Sequence, residues 1–172
     1  ESSIGAMSLK LADLSQLVRE VAHELGPQVA SGQISLTVNL PDRAMKAFVD
    51  PARFQQVVRN VMANAIKFSP PGQSVEITGW QGESGQIHVD ICDRGPGIPP
   101  AELETIFEAF VQSSKTKDGA GGTGLGLAIC RKIMQAHGGQ IQAFNRPDGG
   151  SGFRITVPAS AVQNQGDGAA AA

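Results

Sequence analysis

The chain has 172 residues, with 14 lysines and arginines against 16 aspartates and glutamates, so its formal net charge is −2. This length suits one domain with a buried core, and the balanced charge gives no reason to expect nucleic acid as a partner. No apolar run is long enough to cross a bilayer, which predicts a soluble chain that can still be a fragment of a membrane protein. Cys92 and Cys130 stand far apart without metal-ligand spacing, so we expect two core thiols in a reducing, cytoplasmic compartment.

The first third of the chain combines a helical pattern with two strand patterns. Residues 1–12 have mixed character and are predicted to be a linker from an upstream region. Asp13 can cap a helix that Gly26-Pro27 is expected to bend or end. Its apolar face consists of Leu14, Leu17, Val18, Val21 and Leu25. Alternating apolar and polar residues then predict short strands at 34–38 and 46–49.

A second helix and a pair of strands occupy the middle of the chain. Asp50-Pro51 supplies an acidic cap and a proline suited to the first helical position, and Pro70-Pro71-Gly72 ends the helix. Its apolar face consists of Phe54, Val57, Val58, Val61, Met62 and Ala65. Residues 75–81 and 86–92 then predict two strands joined as a hairpin.

The last part of the chain begins with a glycine-rich loop, residues 93–124, which is predicted to be briefly helical around 102–107. A loop of this length in a compact domain is often functional. A third helix is predicted at 124–137, where Gly138-Gly139 ends it, and strands are predicted at 140–145 and 152–157.

The order of these elements indicates one domain. Strands in pairs with helices between them favour an α/β (α+β) two-layer sandwich, in which helices cover one face of a mixed sheet. We expect the domain to span residues 13–158. Residues 159–172 are small and polar, so they are predicted to form a disordered tail.

The second helix carries three polar residues on one face. Asn60, Asn64 and Lys67 are spaced four and three residues apart, which places them together beside the apolar stripe. They can form an ordinary solvated face. They can also supply an amide oxygen, a ligand that suits Mg²⁺, and an ammonium group that pairs with phosphate.

Two glycine-rich segments lie in the long loop and at its end. In residues 93–97, Asp-Arg-Gly-Pro-Gly, an aspartate at a strand end can accept from the amine of a base, and the glycines allow close approach to a flat ligand. A plain turn has the same composition. Residues 119–127 run into a helix, whose free N–H groups suit an anion. A flexible linker is the alternative there.

Four segments in this order resemble the sequence boxes of sensor histidine kinases. Residues 60–68 (Asn-Val-Met-Ala-Asn-Ala-Ile-Lys-Phe) resemble the N box, and residues 93–97 resemble the first glycine box. Phe107-Glu-Ala-Phe110 resembles the F box, and residues 122–127 (Gly-Thr-Gly-Leu-Gly-Leu) resemble the second glycine box. Because the boxes occur in order, the chain resembles the catalytic and ATP-binding domain of this family.

The resemblance implies the Bergerat fold, which gyrase, mismatch-repair ATPases and a heat-shock chaperone share. That fold is a two-layer sandwich with a mixed sheet of the five-stranded type, three helices on one face and a long ATP lid. ATP and Mg²⁺ are the cofactors that the resemblance implies.

Within the N box, the resemblance implies that Asn64 binds Mg²⁺ with Asn60 close to it, that Lys67 contacts phosphate, and that Phe68 lines the pocket. In the hydrolytic relatives, a glutamate one helical turn before the Mg²⁺ asparagine activates water. Asn60 has that position here, and an amide cannot take a proton at neutral pH. This favours transfer to an acceptor side chain over hydrolysis.

The glycine boxes have implied roles of their own. Asp93 would accept the adenine amine, and Gly95, Gly97 and Ile98 would lie beside the base. The phosphates would be held by the backbone of Gly122, Thr123, Gly124, Leu125, Gly126 and Leu127. The chain departs from the family before its last strand, because it has Ser-Gly-Phe at residues 151–153 where a threonine often precedes the phenylalanine.

The loop between the two glycine boxes would be the ATP lid, anchored by Phe107 and Phe110. It contains Lys115 and Lys117, and we hypothesise that one of them reaches the γ-phosphate and stabilises charge during transfer. The alternative is that both lysines are simply solvated.

The implied activity is in-line transfer of the ATP γ-phosphoryl group to a histidine on a separate dimerisation domain, with a response regulator downstream. The fragment itself is expected to be monomeric. An ATP-binding module that regulates by conformation, an ATP hydrolase of the wider superfamily and a serine kinase remain as alternatives.

His23 stands in a segment, His-Glu-Leu-Gly-Pro, that is similar to the histidine box of the family. We expect that it is not the phosphoacceptor. Helical spacing places it opposite the apolar stripe, and no second helix is predicted after it, only a strand.

Overall fold

The computed structural model describes residues 4–109 and 126–159. The elements within these ranges are β1 (Lys10–Asp13), α1 (Leu14–Glu24), α2 (Gly26–Ser31), β2 (Ser35–Asn39), β3 (Lys46–Val49), α3 (Pro51–Phe68), β4 (Ser74–Gln81), β5 (Ile87–Cys92), α4 (Gly126–Ala136), β6 (Gln140–Asn145) and β7 (Ser151–Val157). The helices and strands predicted from periodicity are therefore present, most of them within two residues of the predicted bounds.

Five strands form the main sheet, in the order β2-β4-β5-β7-β6. β2 runs parallel to β4, and the other neighbours are antiparallel. The predicted mixed sheet is thus confirmed. Its order places β5 between β4 and β7, so the end of β5 is flanked on both sides by other strands.

The core lies between this sheet and the helices. Ile87, Val89 and Ile91 of β5 are buried on one face, whereas His88 and Asp90 point to the other face and are half-buried. α3 and α4 pack on each other and on the sheet, and α1 packs on α3. The two-layer arrangement follows from these one-sided patterns, because each element has only one apolar face to bury.

The two longer helices of the first half begin as their caps predict. The Asp13 carboxylate accepts from the Ser15 N–H at the start of α1, and the Asp50 carboxylate accepts from the Arg53 N–H at the start of α3. Pro51 occupies the first turn of α3, where its missing N–H costs nothing. No helix among residues 4–109 and 126–159 combines the length and the apolar character needed to span a bilayer.

Three local predictions were wrong. Residues 10–13 form β1, which pairs antiparallel with β3 as a separate two-stranded sheet, although a linker was predicted through residue 12. Leu9 and Leu11 alternate with Ser8 and Lys10, but this alternation does not mark a core face, because Leu9 and Leu11 are 53% and 51% exposed. A six-residue helix, α2, also follows α1, although only a strand was expected after it; Gly26-Pro27 thus bends the helical chain, one of the two predicted alternatives.

The third correction concerns residues 102–107, which were predicted as one brief helical segment. The structure has two 3-10 turns instead, Pro100–Glu102 and Thr105–Phe107. His23 is exposed, as predicted from its place on α1.

Candidate functional site

The polar stripe of α3 forms one side of the candidate site. Asn60 and Asn64 are half-buried and Lys67 is exposed, all on an uninterrupted helix whose apolar side lies in the core. The Asn60 Nδ2 group donates to Cys130 Sγ of α4 over 3.7 Å. The Lys67 ammonium lies 5.8 Å from the ring centroid of Phe68. The structure therefore brings the predicted N-box side chains onto one helix face, with Asn60 bridging to α4.

The Asp93 carboxylate, at the end of β5, is the most densely bonded group of the site. Its Oδ1 accepts from the Gly95 N–H (2.8 Å) and the Ser151 N–H (3.1 Å), and its Oδ2 accepts from the Ser151 hydroxyl (3.0 Å). The residue is only 6% exposed. Because a carboxylate offers about four lone-pair positions, three donors leave room for one more on Oδ2.

The turn between β6 and β7 packs directly against Asp93. Gly150 has φ +87°, and a Cβ atom there would lie 2.0 Å from the Asp93 carbonyl oxygen. No side chain fits at that distance, so glycine is the residue that lets the two backbones touch. The close approach is what places Ser151 within hydrogen-bond reach of the carboxylate.

The glycines after Asp93 fold the chain back toward the end of α3. A Cβ on Gly95 would lie 2.9 Å from the Phe68 carbonyl oxygen. The Arg94 N–H donates to the Ser69 hydroxyl over 3.1 Å. The first glycine box and the end of the N box, which are separate in sequence, are therefore in contact, as the shared site requires.

Gly97 and Ile98 are held by a side chain from β6. Asn145 Oδ1 accepts from the Ile98 N–H (2.8 Å), and Asn145 Nδ2 donates to the Ile98 carbonyl (2.6 Å). Gly97 has φ +80°, a conformation that glycine adopts without strain. The Ile98 side chain is buried.

Ion pairs surround the outer edge of this glycine box. Arg146 donates to the Asp93 carbonyl (3.1 Å) and pairs with Glu76 (3.1 Å), and Arg94 pairs with Asp148 (3.0 Å). The hydrogen bond from Arg94 lowers the pKa of Asp148. These charges are thus satisfied by each other, and they fix the turn next to Asp93.

A separate cluster anchors the segment that leads into the long loop. Phe107 is buried and packs edge to face on Phe153, with ring centroids 6.0 Å apart. The Arg131 guanidinium lies 4.3 Å from the Phe107 ring centroid and pairs with Glu104 (3.0 Å). The F box is therefore tied to both α4 and β7 through its first phenylalanine.

Several predicted site residues lie outside the described residues. They are Phe110, Lys115, Lys117, Gly122, Thr123, Gly124 and Leu125. Gly126 begins α4 as the structure describes it, and Leu127 is a half-buried residue in its first turn.

Sequence reasoning missed three residues that the fold brings to the site. Ser151 bonds Asp93, Asn145 bonds Ile98, and Cys130 contacts Asn60. Ser151 had an indirect signal, since it directly precedes Gly152, the position where the family often has threonine. The other two had none, because their partners are 47 and 70 residues away. Burial raises the pKa of the Cys130 thiol to about 12, so this group stays a neutral thiol at physiological pH.

The polar groups of the site suit a nucleotide and a divalent cation. Among the described residues, no group of three His, Cys, Asp or Glu side chains could hold a metal ion alone. Neutral amides beside a lysine instead suit Mg²⁺, which keeps waters and phosphate oxygens as most of its ligands. The remaining acceptor position on Asp93 suits an amine donor.

Comparison with known proteins agrees with this geometry. The profile of the histidine kinase-, DNA gyrase B-, and HSP90-like ATPase family matches residues 49–161. The adaptive-response sensory kinase SasA of Prochlorococcus marinus (strain MIT 9313) is 38% identical over 146 residues, which are 85% of this chain and 40% of that protein. The chain thus spans about two fifths of the length of the SasA relatives that it matches.

Two solved histidine kinases share the fold. The nucleotide-free catalytic domain of ThkA matches with a TM-score of 0.79 and 30% identity, over 89% of this chain and 99% of that one. ThkA in complex with its response regulator TrrA matches with a TM-score of 0.75 and 28% identity, over 88% and 42%. Full-length ShkA in complex with AMPPNP matches with a TM-score of 0.78 and 30% identity, over 91% and 32%.

Proposed function

Because the chain belongs to the family of histidine kinase-, DNA gyrase B-, and HSP90-like ATPases, we propose that it is the ATP-binding catalytic domain of a sensor histidine kinase. It transfers the ATP γ-phosphoryl group to a histidine on a dimerisation domain outside residues 1–172. The observation that carries the proposal is the Asp93 carboxylate, which is buried, held by three donors and left with one acceptor position. ShkA, which is similar in fold, was solved with the ATP analogue AMPPNP.

Each residue around the adenine base has a distinct proposed role. The free position on Asp93 Oδ2 accepts the exocyclic amine of adenine, while Ser151 and Gly95 keep the carboxylate fixed. The backbone at Gly95 and Gly97 lets the base lie close to the chain. Phe68 and Ile98 supply apolar walls.

At the phosphates, the α3 stripe supplies positioning and charge. Mg²⁺, when bound, neutralises the phosphate oxygens and keeps the triphosphate in one geometry. Asn64 and Asn60 offer amide oxygens to the ion and its waters, and Lys67 offers an ammonium group to phosphate. The backbone at residues 122–127 completes the phosphate site, and Lys115 or Lys117 contributes charge to the γ-phosphate.

Transfer is favoured over hydrolysis by the chemistry of Asn60. Its Nδ2 is occupied by Cys130, and an amide oxygen has no basicity to activate water at neutral pH. The group that accepts the phosphoryl group is therefore a protein side chain rather than water. We propose the dimerisation domain of the full-length protein as its source, a response regulator as the next partner, as ThkA has in TrrA, a monomeric state for the chain alone, and a cytoplasmic location.

Calorimetric titration with ATP and Mg²⁺ tests the binding step. We expect saturable binding to the wild type and loss of binding in Asp93→Asn, which places an amide where the adenine amine needs an acceptor. Asp42→Asn is the matched control, because Asp42 is exposed and outside the site. Binding that survives in Asp93→Asn would contradict the placement of the base, and absence of binding to the wild type would contradict the function.

Phosphoryl transfer is tested by adding a separate dimerisation domain from a relative together with labelled ATP. We expect label on the histidine of the added domain and none on this chain alone. Steady ATP turnover without an acceptor would indicate a hydrolase. Binding without transfer to any acceptor would indicate a regulatory module.

A further inference from the structure

The hairpin of β6 and β7 ends in two residues whose side chains both reach the first glycine box. Asn145, the last residue of β6, is paired across the sheet with Ser151, the first residue of β7. Ser151 bonds the Asp93 carboxylate and Asn145 bonds Ile98, so the same rung of the hairpin holds both ends of segment 93–98.

The contact made by Asn145 is bidentate. Its amide oxygen accepts from the Ile98 N–H at 2.8 Å and its amide nitrogen donates to the Ile98 carbonyl at 2.6 Å. An asparagine amide has one acceptor end and one donor end, so it satisfies both backbone groups of a single residue. A Cβ on Gly97 would approach the same amide oxygen to 3.2 Å, which shows how closely the segment lies against β6.

The backbone N–H and carbonyl of Ile98 take no part in the hydrogen bonding of any helix or sheet in the described part of the chain. Segment 93–98 leaves the sheet after β5, and among the described residues the Ile98 N–H and carbonyl take their hydrogen bonds from Asn145. A backbone segment outside regular structure is held only as well as its side-chain partners hold it.

We propose that Asn145 is a positioning residue for the base, and that the Asn145–Ser151 rung sets the selectivity for adenine over guanine. The proposal rests on the proposed function. Adenine presents an amine to the Asp93 carboxylate, whereas guanine presents a carbonyl oxygen at the same position, so two acceptors would face each other. The carboxylate discriminates only if the base cannot slide away from it. Ile98, fixed by Asn145, is the wall that prevents this movement.

A residue that merely ended the hairpin would behave differently. Substitution of such a residue would lower the free energy of unfolding and would weaken the binding of all nucleotides by the same factor. A positioning residue changes the ratio of affinities, because guanine gains when the wall is released while adenine loses. The ratio of the affinities for adenine and guanine nucleotides therefore distinguishes the two roles.

The variants are Asn145→Ala, which removes both hydrogen bonds, and Asn145→Asp, which keeps an acceptor for the Ile98 N–H but loses the donor to its carbonyl. Gln142→Ala is the matched control, because Gln142 is an exposed residue of the same strand. The first readout is hydrogen exchange of the Ile98 amide by NMR on the nucleotide-free chain. We expect exchange on the order of tenfold faster in Asn145→Ala and an intermediate rate in Asn145→Asp.

The second readout is the ratio of the dissociation constants of GTP and ATP with Mg²⁺, measured by calorimetry. We expect the ratio to fall on the order of fivefold or more in Asn145→Ala, less in Asn145→Asp, and to stay within about twofold of wild type in Gln142→Ala. If Asn145→Ala does not fold, Asn145→Asp alone decides the comparison.

Two results would overturn the inference. One is an Ile98 amide that stays protected in Asn145→Ala, which means that Asn145 does not hold it. The other is an unchanged ratio despite loss of protection, which means that holding Ile98 does not select the base. A wild type that binds neither nucleotide would overturn the proposed function, and with it the selectivity, while the exchange data would still decide whether Asn145 fixes Ile98.

Discussion

The candidate site has two ends, a proposed base end (Asp93 to Ile98) and a proposed phosphate end (Asn60, Asn64 and Lys67), and they are built in different ways. At the base end, Asp93 and Ile98 are each held by hydrogen bonds from the β6–β7 hairpin, across 47 to 58 residues of sequence. At the phosphate end, Asn60, Asn64 and Lys67 come from one helix and owe their common face to helical spacing alone. The base end is therefore a property of tertiary packing, and the described part of the phosphate end is a property of α3.

This difference predicts that substitutions at the two ends affect the free energy of unfolding differently, although substitutions at both ends lower the affinity for nucleotide. A change at the base end removes partners of buried groups, so it should lower the free energy of unfolding and the affinity together. A change on the α3 stripe alters half-exposed side chains on an intact helix, so it should lower affinity with little effect on unfolding. Four measurements test this contrast, ordered by the expected change in stability.

Gly150→Ala should have the largest effect. Its Cβ would meet the Asp93 carbonyl oxygen at 2.0 Å, so the turn must move away from Asp93, and we expect a loss of about 3 kcal/mol or more in urea denaturation. Gly149→Ala is a matched control in the same turn, with φ +109° but nothing within 4 Å of the added atom. It should lose only about 1 kcal/mol from backbone strain. Equal losses in the two variants would show that the close approach does not matter.

Asp93→Ala should come next. It leaves the Gly95 N–H, the Ser151 N–H and the Ser151 hydroxyl without their acceptor, so we expect a loss of about 2–3 kcal/mol in the same assay. Asp93→Asn retains an oxygen for the two N–H groups and should lose about 1 kcal/mol, although we expect it to abolish ATP binding as well. If Asp93→Ala were as stable as wild type, the network would have no structural role.

Asp50 supports the phosphate end by capping α3, and it should make stability depend on pH. Hydrogen bonds from the Ser8 and Arg53 N–H groups lower its pKa below the ordinary 3.8. A lowered folded pKa means that the stabilisation is complete above pH 3.8 and is lost as pH falls through the folded value. At pH 7, Asp50→Asn should be less stable than wild type by about 1 kcal/mol, and this difference in the free energy of unfolding should narrow as pH falls below 3.8. A stability difference that widened in acid would contradict the lowered pKa of Asp50.

Asn64→Ala should have the smallest effect on stability, within about 0.5 kcal/mol, since alanine suits a helix and Asn64 is half-buried on the polar stripe. We expect it to abolish most of the gain in ATP affinity that Mg²⁺ provides, measured by calorimetry with Mg²⁺ and with EDTA. Gln135→Ala, an exposed residue of α4, should change neither quantity. Loss of affinity in EDTA as well would show that Asn64 contacts the nucleotide rather than the ion.

The sequence alone determined the elements whose signal is local. The apolar periods of α1 and α3, the caps Asp13 and Asp50, and the inward positions of β5 follow from which side chains must leave water, a property that each segment carries by itself. The stripe of Asn60, Asn64 and Lys67 could be predicted for the same reason, because helical geometry fixes the relation between residues three and four apart.

Only the tertiary structure decided which distant polar groups meet. β1 exists because its backbone pairs with β3, and burial in the core does not account for it, because Leu11 within β1 and Leu9 just before it are exposed. Asn145 and Ser151 reach Ile98 and Asp93 because the register of β6 on β7 and the place of β7 beside β5 set them there. A hydrogen bond between residues 47 or 58 apart depends on that register, and a register is a relation between strands that neither strand's own sequence contains.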